Sequence, residues 1–309
     1  MARLIDADSL IERLKFKRRL NGNIPDKCAG YDSAIAQANK LPSVDPVHVA
    51  GACYCRECRN YNKPRLGQRK SRRFLQLGPA PGGYEVKILV ACEESQAVTI
   101  ELRRLGHEAY SCDIEPCSGG HLEWHIQADV LPILNGRCDF DTADGTRHNI
   151  AEKWNMIIAF PPCTKTSNAG ARHLWKGGEL NIKRYYDGLC GKALFLAIWA
   201  ADCEKVVIEN PTPSRVFEYP EPSQAIQPYE YGHPFTKKTL LWERGVPLLM
   251  PTNIVMPERT WCPSGSYSNK HGEKHRGMFT TDRAKNRAKT FPGVAKAMAE
   301  QWAGDIRED

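Results

Sequence analysis

Five short apolar runs in this chain each lead into residues able to do chemistry. Val86–Val90 leads to Cys92, Glu93, Glu94 and Ser95, and His107–Ser111 leads to Cys112, Asp113, Ile114 and Glu115. The short run from Ile126 carries Asp129. Trp154–Phe160 leads to Pro161-Pro162-Cys163, and Val206–Ile208 to Glu209-Asn210-Pro211. A thiol at Cys163 and a carboxyl at Glu209 form a nucleophile and an acid, a pair suited to attacking a ring that must be protonated as it is attacked. Pro161 and Pro162 fix φ and remove two N–H donors, so the loop that holds the thiol is stiff. A cysteine taken alone is more often a small buried hydrophobe. Its place behind two prolines, with Glu209-Asn210 ending the next run, is what makes Cys163 a candidate. A carboxylate such as Asp113, after a second strand, can hold ribose hydroxyls because it accepts several hydrogen bonds. The alternative is an acid that merely starts a turn.

These residues need a scaffold that sets them side by side. The spacing predicts a helix from about Ser95 to Leu105, closed by Gly106, and a long helix over Tyr185–Asp202. Strands separated by helices imply an α/β fold with a doubly wound, mostly parallel sheet. In such sheets ligands bind outside the carboxyl ends of the strands. The five chemical positions then fall along one edge.

The first part of the chain differs in character. Leu4, Ile5, Leu10, Ile11 and Leu14 recur at helical spacing, and a second short helix is expected over Asp32–Ala38. Residues 1–60 are read as a small helical, cysteine-bearing segment and 61–83 as a basic, Gly/Pro-rich linker. Residues 84–309 form the main domain. Cys55-x-x-Cys58, with Cys53 close by, is a single zinc-type knuckle. A structural zinc needs four ligands, and only Cys28 or His48 remains to complete the set, so no metal centre is expected. Cys262, His271 and His275 likewise lack a CxxC pair.

Hydrophobic content of 41% and charged content of 26% are ordinary for a globular chain and exclude disorder throughout. A formal net charge of +7 suits a polyanionic partner. No apolar run is long enough to span a bilayer, and MARLIDADSL lacks the order of a secretory signal. A cytoplasmic protein is expected, its 12 cysteines reduced, metal-bound or catalytic rather than paired.

The stretch from about Lys87 to Trp302 resembles the DNA (cytosine-5) methyltransferase family. MIIAFPPCTKTSNAG resembles its Pro-Pro-Cys motif, and VVIENPTPS its Glu-Asn-Val motif about 45 residues later. SCDIEP resembles the acidic ribose-binding motif and HIQADV the Asp motif near the adenine. GHPFTKKTLLW resembles the Gln-x-Arg-x-Arg motif, with Lys237 and Thr239 at the arginine positions, and RAKTFPGVAKAMAEQW stands where the last motif would be. The chain departs from the family at ACEESQ, which replaces a glycine-rich loop, at Ala159-Phe160, which replaces Gly-Gly, and at Thr164, which replaces Gln. It is also similar to phage-type methylases with a short Cys-bearing N-terminal segment.

The resemblance implies a Rossmann-like, class I methyltransferase-like domain acting on double-stranded DNA, with S-adenosylmethionine as cofactor. It implies a monomer on DNA, in a host cytoplasm if phage-encoded, with a role in restriction-modification. Cys163 would attack C6 of a flipped cytosine and Glu209 would hydrogen-bond the ring near N3. Asn210 and Pro162 would hold the loops, and Lys237 would meet a phosphate or the base carbonyl. Cys92, Glu93, Ser95, Asp113, Ile114, Asp129, Phe160, Pro161 and Phe291 would form the cofactor side. Residues from about 242 to 289, rich in Lys, Arg, His and Gly, would recognise the target. Two other readings use the same residues: a DNA-binding protein of this fold without catalysis, and C5 chemistry on a free pyrimidine nucleotide.

Overall fold

The computed structural model describes residues 86–171, 173–261, 267–268, 274–275 and 288–304. The predicted N-terminal helices, the cysteines at 28, 53, 55 and 58, the basic linker, Cys262 and His271 lie outside the described residues. No helix among those described is long and apolar enough to cross a membrane. The described chain divides into two compact units, residues 164–194 and the remainder.

The larger unit is built on seven strands, numbered here along the chain: β1 Lys87–Ala91, β2 Glu108–Asp113, β3 His125–Gln127, β4 Met156–Ala159, β5 Lys205–Asn210, β6 Gln224–Ile226 and β7 Thr239–Arg244. Their order across the sheet is β6-β7-β5-β4-β1-β2-β3. Strands β1 to β5 are mutually parallel, and β7 runs antiparallel to both β5 and β6. The fold is therefore α/β with a mostly parallel mixed sheet, compatible with a Rossmann-like architecture.

Runs such as ILVA, MIIA and VVI are apolar at every position because both faces of a parallel sheet are covered. Period-two alternation sorts them. Ile88, Val90, Met156, Ile158, Val207 and Leu241 join the core on one face with helices α1 (Ala97–Arg104) and α3 (Pro292–Trp302). Val98 and Leu102 of α1 meet Val294, Ala295 and Met298 of α3 there. On the other face, Trp242 meets Phe195 edge-on with ring centroids 5.0 Å apart. Phe195 belongs to the C-terminal end of helix α2 (Ile182–Trp199).

The smaller unit holds a short helix at Asn168–Ala171, a two-stranded ribbon pairing Trp175–Lys176 with Glu179–Leu180, and the first turns of α2. Gly177 and Gly178 turn the ribbon at φ 60° and 85°, the left-handed region where a side chain is strained. Arg184 donates to the carbonyl oxygens of Thr164 (3.2 Å) and Gly170 (2.9 Å). The residues just after Pro-Pro-Cys are thus folded back on themselves.

Several expected boundaries move. Asp113, Glu209 and Asn210 are the last residues of their strands rather than the first of a loop. The long helix starts three residues early and ends at Trp199. Val130, read as extended, enters a short 3-10 turn at Leu131–Ile133. Trp242, placed at the start of the recognition region, is buried in β7. Strands β6 and β7 and the antiparallel ribbon of Cys138–Asp141 with Arg147–Ile150 were not expected. That ribbon's Phe140 and His148 pack on Tyr110 of β2.

Candidate active site

Residues 209, 237, 239 and 290–291 converge on one cavity. It has about 280 Å³ of empty space, part of it open to solvent. Glu209, Lys237, Thr239 and Thr290 supply its polar wall, and Ile226, Pro228, Phe291 and Val294 its apolar wall. The convergence follows from the register. Glu209 pairs with Leu241 across β5 and β7, so Thr239 is its diagonal neighbour on the same face. That face is the one carrying Val207, α1 and α3, and the N-terminus of α3 brings Phe291 to it.

Glu209 is half-buried as a residue, and burial dominates around its carboxyl, pushing its pKa above the ordinary range. The charge of Lys237 and the hydroxyl of Thr239 pull it back part of the way. Lys237 has neighbours at both ends. Its N–H donates to Gln227 Oε1 at 2.9 Å, and its Nζ donates to the Lys289 carbonyl at 3.4 Å while lying 5.9 Å from the centre of the Phe291 ring. Thr239 Oγ1 donates to the Lys237 carbonyl at 3.2 Å. One acid, one cation, two hydroxyls and an aromatic wall thus meet at one place on the sheet.

Phe291 is positioned by a close approach. Gly293 N–H donates to His233 Nε2 at 2.9 Å, and a Cβ at Gly293 would stand 2.0 Å from the Tyr231 carbonyl oxygen. Burial lowers the pKa of His233, which suits its role as a neutral acceptor. Gln227, His233 and Gly293 escaped the sequence reading. Their partners lie 10 and 60 residues away in the chain, and no local periodicity signals such contacts.

The thiol leaves the sheet from the neighbouring strand. Ala159 of β4 pairs with Ile208 of β5, so Pro161-Pro162-Cys163 departs beside Glu209-Asn210. Phe160 N–H donates to the Ala91 carbonyl at 2.9 Å, which prolongs the β1–β4 pairing. Phe160 is half-buried against the core, Pro161 buried, Pro162 exposed and Cys163 half-buried. Cys163 is not among the residues lining the Glu209 cavity. None of the seven described cysteines is in a disulfide. Asn210 is buried, on the opposite face from Glu209.

The expected cofactor residues lie at the ends of β1, β2 and β3, beside the point where the sheet order reverses between β1 and β4. The loop after β1 makes left-handed turns without glycine, at Cys92 (φ 59°) and Gln96 (φ 57°). Buried amides hold it. Cys92 N–H donates to the Cys112 carbonyl at 2.7 Å, and Gln96 Nε2 donates to the His121 carbonyl at 2.8 Å. A Cβ at Gly119 would come within 2.6 Å of the Gln96 side chain, so that glycine is required by close contact. Burial, followed by the nearby Asp113, pushes the Cys92 thiol far up, which disfavours its thiolate.

Glu93 does not face this crevice as a free ligand. Its carboxylate accepts from Val98 N (2.7 Å), Thr99 N (3.3 Å) and Thr99 Oγ1 (2.7 Å), and so caps α1. Glu94, which the family resemblance did not assign to the cofactor side, has a buried Oε2 with no hydrogen-bond partner. It lies close enough to Asp113 to raise that carboxyl's pKa, although burial is the larger cause. Asp113 accepts from Glu115 N with Oδ1, and Asp129 accepts from Leu131 N with Oδ1. Ile114 is 71% exposed beside them, an apolar side chain with no core to fill. Ser95 is half-buried at the same loop. The unpartnered Glu94 oxygen and the carboxyls of Asp113 and Asp129 thus set hydrogen-bond acceptors beside an exposed apolar side chain.

A comparison with protein-family models finds no match, and a comparison with curated proteins finds no significant one.

Proposed function

We propose that this protein methylates C5 of cytosine in DNA, with S-adenosylmethionine as methyl donor and Cys163 as nucleophile. The observation that carries the reading is the convergence of Glu209, Lys237, Thr239 and Phe291 on one cavity, beside the strand that ends in Pro-Pro-Cys. The family resemblance names all four positions, Phe291 on the cofactor side, and they come from three separate stretches of sequence. The sheet order adds support. It runs 3-2-1-4-5, as in doubly wound nucleotide-binding folds, and ends with a reversed strand inserted before the last, compatible with a class I methyltransferase-like domain.

In this reading Cys163, as thiolate, attacks C6 of the flipped base. Glu209, whose burial favours its protonated form, hydrogen-bonds the ring at N3 and takes up the charge change there. S-adenosylmethionine, when bound, supplies the methyl group to C5. Loss of the C5 proton then expels Cys163. Asp113 and Glu94 would receive ribose hydroxyls, Ile114 would lie on the adenine face, Asp129 would meet the adenine amino group, and Phe160 would wall the pocket. Glu93 and Gln96 would shape the loop from behind.

The test is a duplex carrying 5-fluorocytosine incubated with the protein and labelled S-adenosylmethionine. A denaturant-stable, labelled complex that disappears in Cys163→Ser is the expected result. A second reading, DNA binding without methyl transfer, is favoured by one observation: the Glu93 and Gln96 side chains are already engaged by the protein's own backbone, at Val98 and His121. No calorimetric binding of S-adenosylmethionine, together with retained DNA binding, would decide for it.

A further inference from the structure

Among the described residues, Lys237 is the only basic side chain lining the Glu209 cavity, and Glu209 the only acidic one. The two do not form a direct ion pair among the described residues. The ammonium instead rests on the Lys289 carbonyl at 3.4 Å and above the Phe291 ring at 5.9 Å. Both are weak holds. A neutral carbonyl and a ring face leave most of the charge uncompensated in a half-buried setting. Residue 289 closes a stretch, 258–289, with eight Lys or Arg against three Asp or Glu. The amine is thus parked at the edge of the most basic part of the domain, on a stem long enough to swing outward.

We propose that Lys237 is a displaceable counter-charge for Glu209: a DNA phosphate at the cavity mouth draws the ammonium off Lys289 and Phe291, and Glu209 then takes a proton from solvent. This rests on the reading of the cavity as the base-binding site and adds a regulation to it. The acid becomes competent only when a polyanion is present, which keeps the site inactive toward free bases.

The other groups around the carboxyl do not supply this control. Thr239 and Thr290 do not titrate in this range. His233, behind Phe291, is held neutral by burial and by accepting from Gly293. The thiol of Cys163 leaves from neighbouring β4 and does not line the cavity. In the free protein, Lys237 is the charge that opposes protonation of Glu209.

The experiment follows the Glu209 carboxyl band by infrared difference spectroscopy, wild type minus Glu209→Gln, titrated with and without short duplex DNA. In the wild type, DNA should move the midpoint upward by roughly one pH unit or more, the scale of one opposite charge nearby. In Lys237→Met the midpoint should already be high and insensitive to DNA, and Lys237→Arg should restore the DNA-dependent shift. An unmoved wild-type midpoint, or a DNA-induced shift that persists in Lys237→Met, would overturn the proposal. The readout is independent of methyl transfer. Methylation with an unmoved midpoint defeats the counter-charge and leaves the proposed function standing, whereas a moved midpoint without methylation does the reverse.

Discussion

Glu93 offers the sharpest quantitative test of how the loop after β1 is built. Its carboxyl is buried at the start of α1, and burial raises its pKa from 4.5 to about 7 even though Val98 and Thr99 donate to it. Because the folded value lies above the unfolded one, the folded chain holds a proton between these pH values that the unfolded chain has released. Unfolding free energy therefore falls as pH rises through this window. The difference of about 2.5 units corresponds to about 3 kcal/mol. Glu93→Gln removes the ionisation but weakens one of the bonds to α1, at a cost of about 1 kcal/mol. The variant should be slightly less stable than wild type near about pH 4.5 and more stable by about 2 kcal/mol near about pH 8. Urea unfolding followed by circular dichroism across this range reads the crossover. A variant that is less stable by a constant amount at every pH would refute the reasoning. It would show that the α1 N–H groups and dipole keep the carboxylate ionised against its burial.

Other expectations follow from the same geometry. Glu209→Gln should lower methylation roughly 10²–10⁴-fold, the usual worth of an acid–base group, while a filter-binding assay shows DNA affinity nearly unchanged; equal loss of both would remove its catalytic role. Cys163→Ser should abolish the 5-fluorocytosine adduct and leave the thermal midpoint within a few degrees, because the residue is only half-buried. Gly293→Ala drives a Cβ against the Tyr231 carbonyl. It should cost about 1–3 kcal/mol in chemical denaturation and weaken catalysis by displacing Phe291. Wild-type stability in that variant would mean that the close approach relaxes without cost.

Much of this was legible in sequence because parallel strands announce themselves. ILVA, MIIA and VVI are apolar, β-rich and bounded by turn formers, so β1, β4 and β5 and the chemistry at their ends could be placed to within a few residues. Strands β6 and β7 were not. QAI is too short to show a period, and TLLWER reads equally well as the start of a helix. The Glu209 cavity was half-legible. Glu209, Lys237 and Phe291 could be nominated one by one, but their meeting depends on β7 running backwards between β5 and β6. The clearest correction concerns neighbouring acids. Nothing in Cys-Glu-Glu-Ser says which glutamate turns inward to cap α1 and which keeps a buried oxygen without a partner. That depends on the left-handed turn at Cys92, a conformation that sequence patterns do not foretell for a non-glycine residue.

The packing of α3 against α1 also orders events in time. The helix is the final described element, yet it covers the apolar face of α1, one of the first, and sends Phe291 into the wall beside Glu209. A chain emerging from the ribosome can pair β1, β2 and β4 well before this helix exists, and until then Val98 and Leu102 face water. Such an intermediate has a sheet and a thiol but no closed cavity. The wall around Glu209 is therefore completed only when α3 docks, after the strand pairing that sets Glu209 beside the Pro-Pro-Cys segment.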